Sequence, residues 1–207
     1  MSTEKDLLKP VRPRPALRPS LKQLAQAQEK LAARRLRDAL PLRIETARLV
    51  LRPPMRGDAH DLVAIADNIN VASNLSRLPH PYRLDHAVTF IEHIATGPTE
   101  RPYAITLDDK LIGVMSLMFT QDPVEIGYWL GEPYWGKGFA TEAGKALLEA
   151  ARTTAKITTF QARALVTNAG SRNVLEKLGF VATGEEIDKD GTNAGKAVMR
   201  YRLEGTK

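Results

Sequence analysis

Seven short stretches of the chain are predicted to be β-strands, because their apolar residues either alternate with polar ones or run without interruption. Asp108 and Asp109 separate two of these stretches, as in the turn of an antiparallel hairpin. The predicted strands are residues 47–52, 103–107, 111–119, 125–130, 159–166, 181–186 and 196–203. The middle of the fold is therefore predicted to be a sheet.

Apolar residues at helical spacing mark segments that lie before and between these strands. Ser20 is a suitable N-cap for the first helix, Asp58 caps the second, and Gly179 ends the last. The predicted helices are residues 21–40, a segment after Asp58 with Leu62, Ile65 and Ala66 on its apolar face, and residues 84–95, 138–154 and 169–178. After the first helix the order is β-αα-βββ-α-β-α-ββ, which predicts an α/β fold, with a mixed (α+β) sheet and helices on both faces.

The composition, 207 residues with 43% hydrophobic and 26% charged residues, is that of one ordinary soluble domain with some sequence to spare. No apolar run approaches the roughly 20 residues of a membrane-spanning helix, and the N-terminus lacks the apolar stretch of a secretory signal. We therefore expect a cytoplasmic protein without a membrane partner. The chain has no cysteine, which excludes disulfides and a cysteine nucleophile, and its four histidines form no metal-ligand pattern. No metal is expected.

The net charge of +6 resides at the N-terminus, where residues 1–40 hold ten Lys and Arg against four Asp and Glu. Four prolines among the first 19 residues favour extended, disordered backbone. We therefore predict a basic Pro/Arg-rich extension, residues 1–41, disordered and then helical, followed by a folded domain, residues 42–205. The sequence leaves the role of this extension open. It could be a plain flexible arm, a helix docked on this or another chain, a mitochondrial presequence, or a segment that contacts ribosomal or other RNA.

Residues 136–142, Gly-Lys-Gly-Phe-Ala-Thr-Glu, lie between a predicted strand and a long alanine-rich helix. Glycine permits positive φ and close approach of a ligand to the backbone. The first N–H groups of a helix have no intrahelical partner and point toward an anion. We call residues 136–141 the cradle, since this arrangement predicts a phosphate-binding loop, with the charge of Lys137 beside it.

A P-loop nucleotidase is the competing explanation, because residues 131–137 match G-x-x-x-x-G-K. A P-loop needs Ser or Thr at the next position to ligate magnesium, and this chain has Gly138 there. The bulky pair Tyr134 and Trp135 also suits a loop wrapped around phosphate poorly. The P-loop interpretation is therefore disfavoured.

Several motifs together resemble one protein family. EIGYWLGEPYWGKGFATEA, followed by NAGSRNVLEKLGF, is similar to the GNAT superfamily of acetyl-CoA-dependent N-acetyltransferases. TARLVLRP at residues 46–53, Pro-His-Pro-Tyr at 79–82 and Tyr-Trp-Gly at 134–136 resemble its RimJ/RimL-like branch, the ribosomal-protein N-acetyltransferases. The resemblance covers residues 43–204 and implies that residues 42–205 form a GNAT N-acetyltransferase domain.

This resemblance implies acetyl-CoA as co-substrate and a sheet in which strand 125–130 splays from strand 159–166. The pantetheine arm would enter the gap and bind the backbone of Tyr128, Trp129 and Leu130. The pyrophosphate would bind the cradle, where Trp135 departs from the family's usual Gln or Arg. The implied cofactor-binding residues are completed by Gly136, Lys137, Gly138, Phe139, Ala140, Thr141, Asn168 and Arg172.

The implied reaction needs a neutral amine, whereas a lysine side chain titrates near about pKa 10.4 and an α-amine near about 8. The base is expected to be Glu125, whose partial burial would raise its pKa, or a water chain ending in a base. Glu142 is a weaker candidate, because it more naturally complements the helix dipole. Leu130 N–H is expected to stabilise the oxyanion, and Ser171 to protonate the departing thiolate.

The sequence does not identify the amine acceptor, which could be a protein N-terminus or a small molecule, or the oligomeric state. The entrance for the acceptor is expected to be bordered by Arg77, His80, Tyr82 and residues 188–195. The functional alternative is a non-catalytic acetyl-CoA sensor or an interaction module with a basic arm, since a fold alone does not establish chemistry.

Overall fold

The computed structural model describes residues 20–120, 122–189 and 191–205, which form one eight-stranded sheet with helices on both faces. The strands are β1 (Ile44–Glu45), β2 (Val50–Arg52), β3 (Glu100–Leu107), β4 (Lys110–Met118), β5 (Val124–Leu130), β6 (Phe160–Leu165), β7 (Val181–Ile187) and β8 (Ala197–Leu203). Their order across the sheet is β1-β2-β3-β4-β5-β6-β8-β7. The predicted mixed sheet is confirmed, and residues 1–19, including the predicted disordered segment, lie outside the described residues.

Six α-helices occur in the described part of the chain. They are α1 (Leu21–Ala39), α2 (Ala59–Ala66), α3 (Ile69–Ala72), α4 (Leu84–Thr89, continued by a π-helical turn, Phe90–Ile94), α5 (Phe139–Thr154) and α6 (Ala169–Lys177). Two of them have the predicted caps, a Ser20 capping box before α1 and Gly179 at φ +89° after α6. Within these residues, no helix has both the length and the apolar character needed to cross a membrane.

The sheet is antiparallel except where β5 lies beside β6. Among the described residues this parallel pair is held at two positions, Val124 with Phe160 and Glu125 with Gln161. Beyond them β5 continues to pair with β4, and β6 continues to pair with β8. The two strands therefore diverge after their first residues and open a gap in the middle of the sheet.

Each face of the sheet has its own hydrophobic core. On one face α1, α5 and α6 cover a core that includes the fully buried Tyr103, Leu147 and Phe160. On the other face α2 and α4 cover a smaller core around Leu62 and Ala87. Because side chains alternate along a strand, β5 contributes to both cores and can present different chemistry on each side of the gap.

Two local predictions need correction. The predicted strand 47–52 is shorter, since residues 46–49 form a turn that joins β1 to β2. Asp58 precedes α2, but its side chain does not cap that helix. Instead, its buried carboxylate accepts hydrogen bonds from both terminal nitrogens of Arg52, at 2.8 and 2.7 Å, and from the Met55 N–H at 2.8 Å. The charged guanidinium outcompetes the helix N-terminus for this carboxylate.

The end of α1 is attached to the sheet. Ala33 and Leu40 are buried in the core beneath α5. The Leu40 carbonyl accepts a hydrogen bond from Arg101 at 3.3 Å, and the Pro41 carbonyl accepts one from the Tyr103 hydroxyl at 2.6 Å. The boundary between extension and domain at residues 41 and 42 stays a prediction.

Candidate active site

A cavity of about 880 Å³ passes through the sheet where β5 and β6 diverge. Its lining on the α5 and α6 side includes the cradle glycines and the start of α6, and on the α2 and α4 side it includes the segment 74–78. Most of the predicted site residues line it, namely Glu125, Tyr128, Trp129, Leu130, Gly136, Gly138, Phe139, Ala140, Thr141, Asn168 and Ser171. The fold thus brings together residues that are up to 46 positions apart, from Glu125 to Ser171.

The main chain of β5 presents hydrogen-bonding groups to this cavity. Gly131 N–H donates to the Ile112 carbonyl at 2.9 Å, in a register that places Leu130 opposite Gly113. In an antiparallel pair the hydrogen-bonded positions alternate, so the main-chain groups of Tyr128 and Leu130 point away from β4 and toward the gap. Those of Trp129 point to β4. The two gap-facing residues are therefore the ones that can bind an extended chain as a strand would.

Trp135 has a structural role that the sequence did not reveal. Its indole Nε1–H donates to the Leu130 carbonyl at 2.8 Å. This hydrogen bond satisfies the carbonyl at the end of β5, where a strand partner is missing.

The cradle has the conformation that an anion site needs. Gly136 and Gly138 have φ values of +72° and +80°, which side chains other than glycine adopt at a cost. The first helical hydrogen bond of α5 runs from Glu142 N–H to the Gly138 carbonyl, at 3.0 Å. The N–H groups of Phe139, Ala140 and Thr141 consequently have no acceptor within the helix and lie at the cavity wall.

An ion pair holds the cradle from outside the cavity. Arg48, in the turn between β1 and β2, donates from Nε to Glu142 Oε2 at 2.7 Å. Its two terminal nitrogens each donate to the Lys137 carbonyl at 3.2 Å, and its guanidinium lies 4.5 Å from the centroid of the Phe139 ring. Thr46 Oγ1 and Arg48 N–H also donate to Glu142 Oε1, at 2.6 and 3.0 Å. We call this set the cradle clamp.

The clamp changes the expected role of Glu142. Burial raises the pKa of this carboxyl, but the hydrogen bonds from Thr46 and Arg48 oppose burial and leave the pKa below its ordinary value. A carboxylate that accepts three hydrogen bonds and is held ionised is a poor base, because its lone pairs are already engaged. Glu142 therefore serves the cradle's geometry, and the sequence offered no signal for its partners, which lie 94 and 96 residues away.

Tyr128 and Ser171 meet across the cavity. The Tyr128 hydroxyl donates to the Ser171 carbonyl at 2.9 Å and lies 3.0 Å from Ser171 Oγ. Burial raises the pKa of the Tyr128 phenol, although the hydrogen bond with Ser171 opposes that shift. Because the phenol hydrogen is donated to the Ser171 carbonyl, the Ser171 hydroxyl can donate its own hydrogen to Tyr128 Oη. The lone pairs of Ser171 Oγ then face the cavity. The sequence identified Ser171 but not the side chain of Tyr128.

Glu125 lies on the other side of the gap. Side chains alternate between the two faces along β5. Ile126 and Tyr128 face the α5 side, so the side chain of Glu125 points to the α2 and α4 side. The residue is 9% exposed, and its Oε1 lies 3.5 Å from Nε of Arg163. Arg163 also lies 3.4 Å from Asp188, so the two carboxylates share one guanidinium.

The remaining predicted residues have specific positions. Asn168 lines the cavity and caps α6, since its Oδ1 accepts from Ser171 N–H at 3.0 Å. The Lys137 ammonium lies 5.8 Å from the centroid of the Tyr134 ring, and the residue does not line the cavity. Arg172 donates to the Tyr201 hydroxyl and the Val166 carbonyl, both at 3.2 Å, and does not line it either. Phosphate contacts from Lys137 and Arg172 stay predictions.

Part of the expected entrance borders the cavity. Arg77 lines it, as do Asp188 and Asn193 from the predicted loop 188–195, of which residue 190 lies outside the described residues. Tyr82 is buried between α2 and α4, and neither it nor His80 is among the lining residues. Within the described ranges, no group of three or more His, Cys, Asp or Glu residues could hold a metal ion.

Comparison with known proteins gives a consistent set of matches. The family model of the acetyltransferase (GNAT) domain matches residues 48–181. Probable N-acetyltransferase YjcK of Bacillus subtilis (strain 168) is 37% identical over 81 residues, which cover 37% of this chain and 45% of that protein. Ribosomal-protein-serine acetyltransferase of Escherichia coli (strain K12) is 32% identical over 85 residues, covering 40% and 48%. The chain thus spans less than half the length of these two relatives.

Among solved structures, the Microcin C7 self immunity acetyltransferase MccE, in complex with acetyl-CoA and AMP, superposes with a TM-score of 0.69. The alignment covers 77% of this chain and 93% of that chain at 21% sequence identity. At this identity the similarity concerns the fold.

Proposed function

The chain belongs to the GNAT acetyltransferase family, and from that membership we propose that it transfers an acetyl group from acetyl-CoA directly to a primary amine. The match to a ribosomal-protein-serine acetyltransferase confirms the resemblance to the RimJ/RimL-like branch. The observation that carries the proposal is the cavity through the sheet, with an anion cradle on one side and a buried carboxylate, Glu125, on the other.

The residues on the α5 and α6 side would bind acetyl-CoA, which supplies the activated acetyl group as a thioester. The gap-facing main chain of Tyr128 suits the amide-bearing pantetheine arm, since its N–H and carbonyl can form strand-like hydrogen bonds, whereas the Leu130 carbonyl is taken by Trp135. The N–H groups of Phe139, Ala140 and Thr141 suit the pyrophosphate. The clamp of Arg48 and Glu142 would keep these donors in position before the ligand arrives.

Glu125 is our candidate for the residue that accepts the amine proton. It lines the cavity on the side opposite the cradle, so an amine entering from the α2 and α4 side would meet its carboxylate before it reaches the acetyl group. Arg163 at 3.5 Å keeps this carboxylate oriented without forming a close ion pair. Leu130 N–H, which faces the gap, is the candidate donor to the oxyanion.

The pair of Tyr128 and Ser171 is our candidate for returning a proton to the coenzyme A thiolate. A phenol, with an ordinary pKa of about 10, is a better proton donor than a serine hydroxyl, although burial raises the pKa of Tyr128. In the observed arrangement the phenol hydrogen is donated to the Ser171 carbonyl, so the relay requires it to turn toward Ser171 Oγ, 3.0 Å away. Ser171 then gives its own proton to the thiolate as it receives the phenol proton, and Tyr128 is reprotonated from solvent before the next turnover. Removing the phenol should therefore slow turnover more than removing the serine hydroxyl.

The test is release of free thiol from acetyl-CoA, followed with a thiol reagent across a panel of amines. The absence of cysteine keeps the protein itself silent in this assay. We expect amine-dependent release that Glu125→Gln reduces by about a hundredfold or more, in the range for loss of a general base. Glu149→Gln, on the exposed face of α5, is the matched control and should be fully active.

Two results would count against the proposal. Tight acetyl-CoA binding without thiol release for any amine would favour a sensor role. Equal activity of Glu125→Gln and wild type would remove Glu125 from the mechanism and leave a water chain as the route for the proton.

A further inference from the structure

The charged side chains that line the cavity divide between its two sides. On the α2 and α4 side, Arg77 lies 3.0 Å from one buried carboxylate, and Arg163 lies 3.5 and 3.4 Å from two others. On the α5 and α6 side, the one charged residue among the described lining residues is Lys177, the last residue of α6. The cofactor side of the cavity thus carries a positive charge that no carboxylate of the lining neutralises.

The Lys177 ammonium has no ion pair and no hydrogen bond within the part of the chain that the structure describes, and the residue is exposed. Arg172, the cation of the same helix that the family motif indicated, differs in this respect. It donates to the Tyr201 hydroxyl and the Val166 carbonyl, and it does not line the cavity. Lys177 is therefore the cation of α6 that an incoming anion can engage without breaking an existing contact.

Helical spacing places Lys177 on the cavity face of α6. Residues at positions i, i+3, i+4 and i+7 share one face of a helix, and the lining residues with this spacing are Gly170, Asn173, Val174 and Lys177. Ser171, which contacts Tyr128, marks the other end of the helix. The six residues from Ser171 to Lys177 correspond to a rise of about 9 Å. Lys177 therefore lies away from the groups that would handle the thioester.

The end of α6 packs beside the helix that begins at the cradle. Gly144, in the second turn of α5, lies so close to Leu178 that a Cβ at position 144 would be 2.7 Å from a Leu178 methyl group. Lys177 directly precedes Leu178, and Thr141 of the cradle lies about one turn before Gly144. Both Lys177 and Thr141 line the cavity. The Lys177 side chain and the first turn of α5 therefore border the same part of it.

Acetyl-CoA presents more negative charge than the cradle can bind. The cradle offers the three N–H groups of Phe139, Ala140 and Thr141, and the two phosphates of the pyrophosphate are sufficient to occupy them. Coenzyme A also carries a phosphate monoester on the 3′-hydroxyl of its ribose, with a charge of about −1.5 to −2 near neutral pH. This second anionic group needs a cation beside the cradle.

We propose that Lys177 binds the 3′-phosphate of acetyl-CoA, so that α6 supplies a second anion-binding element next to the cradle. This inference rests on the proposed binding of acetyl-CoA in the cavity. Lys137 has the same charge, but it does not line the cavity, and its ammonium lies 5.8 Å from the centroid of the Tyr134 ring. Because Lys137 belongs to the cradle itself, the pyrophosphate is its expected ligand.

The test is titration calorimetry with acetyl-CoA and with acetyl-dephospho-CoA, which lacks only the 3′-phosphate. We expect the wild type to bind acetyl-CoA about tenfold more tightly, in the range of one charge-assisted hydrogen bond. Lys177→Met keeps an unbranched side chain without the charge and should bind both ligands alike. Lys177→Arg should keep the preference. Added salt should reduce the preference of the wild type, because the ammonium is exposed.

Lys156→Met is the matched control, since Lys156 follows the far end of α5, whose 16 residues are about 24 Å long. It should leave the preference unchanged, as should Lys137→Met, because both ligands contain the pyrophosphate. Loss of the preference in Lys137→Met, or the full preference in Lys177→Met, would overturn the inference. A lower Tm of Lys177→Met with the preference intact would reduce Lys177 to a lysine that complements the dipole of α6.

Kinetics separates this inference from the proposed reaction. The 3′-phosphate takes no part in acetyl transfer, so Lys177→Met should raise KM for acetyl-CoA at an unchanged kcat. Amine-dependent thiol release by a wild type that binds both ligands equally would overturn the role of Lys177 and leave acetyl transfer intact. Failure of the wild type to bind either ligand would overturn the cradle, and the proposed transfer and this inference with it.

Discussion

Replacing Arg48 with alanine removes the side chain that connects the turn between β1 and β2 to the cradle. The substitution deletes the contacts of the guanidinium with Glu142 and the Lys137 carbonyl and its position over the Phe139 ring. It leaves Glu142 with two donors, the Thr46 hydroxyl and the N–H of residue 48. No buried charge is therefore left without a partner, and the effect should be moderate rather than severe.

The magnitude follows from exposure and geometry. The Arg48 side chain is 46% exposed, so its ion pair with Glu142 should contribute no more than about 1 kcal/mol to the free energy of unfolding. For a chain of this length such a loss lowers Tm by about 2–4 °C. The two 3.2 Å contacts with the Lys137 carbonyl should together stabilise the ligand-binding conformation of the cradle by about 1 kcal/mol. Their loss should therefore weaken the binding of acetyl-CoA about fivefold.

Titration calorimetry with acetyl-CoA, beside thermal unfolding, measures both effects. Arg43→Ala is the matched control, since Arg43 pairs with Glu45 on the neighbouring strand with both side chains more than half exposed. We expect Arg48→Ala to raise Kd for acetyl-CoA about fivefold, with no change in the KM of the amine. A lower Tm with an unchanged Kd would show that the clamp supports only the fold and would refute this reasoning.

Three further outcomes are expected. Hydrogen bonds hold the folded-state pKa of Glu142 below its ordinary value of 4.5, so the stabilisation from its charge is complete above that value and is lost as pH falls through the folded-state pKa. Glu142→Gln should therefore flatten this part of the curve of Tm against pH. A variant curve parallel to that of the wild type would contradict this role of Glu142. Tyr128→Phe should lower kcat by about tenfold or more at an unchanged KM for acetyl-CoA, and Ser171→Ala should lower kcat less. A larger loss of kcat in Ser171→Ala than in Tyr128→Phe would mean that Ser171 protonates the thiolate without Tyr128. Gly113→Ala would bring a Cβ to 2.9 Å from a Cα atom of β5 and should lower the free energy of unfolding in urea by about 1–3 kcal/mol. An unchanged urea midpoint would show that β5 can shift to make room for the Cβ.

Local patterns were sufficient to predict most of the fold. The order of helices and strands followed from hydrophobic periodicity, and the cradle followed from two glycines at the start of an amphipathic helix. Both features depend on residues that are close in sequence, so propensity and spacing report on them directly. Asp58 shows the limit, because its identity suits a helix cap while its actual partner is Arg52. Competition between two local partners is decided by geometry that the pattern does not contain.

The parts of the site that escaped prediction are contacts between distant segments. Arg48 and Glu142 are 94 residues apart, Tyr128 and Ser171 are 43 apart, and Thr192 and Leu75, which share a hydrogen bond beside the cavity, are 117 apart. Such pairs leave no periodic signal in a single sequence. They also depend on the divergence of β5 from β6, which determines which side chains meet across the gap. Ser171 could be identified from the family motif, but its pairing with a tyrosine on the splayed strand required the structure.

The most direct test of acetyl transfer in this cavity is a product stoichiometry. The wild-type protein is incubated with acetyl-CoA and the amine of the panel that releases most thiol, and mass spectrometry of the acetylated amine is compared with the free thiol released in the same sample. We predict one acetylated amine for each thiol, with both signals lost together in Glu125→Gln. Thiol release without acetylated amine would indicate hydrolysis, and binding of acetyl-CoA without either product would contradict the proposed transfer.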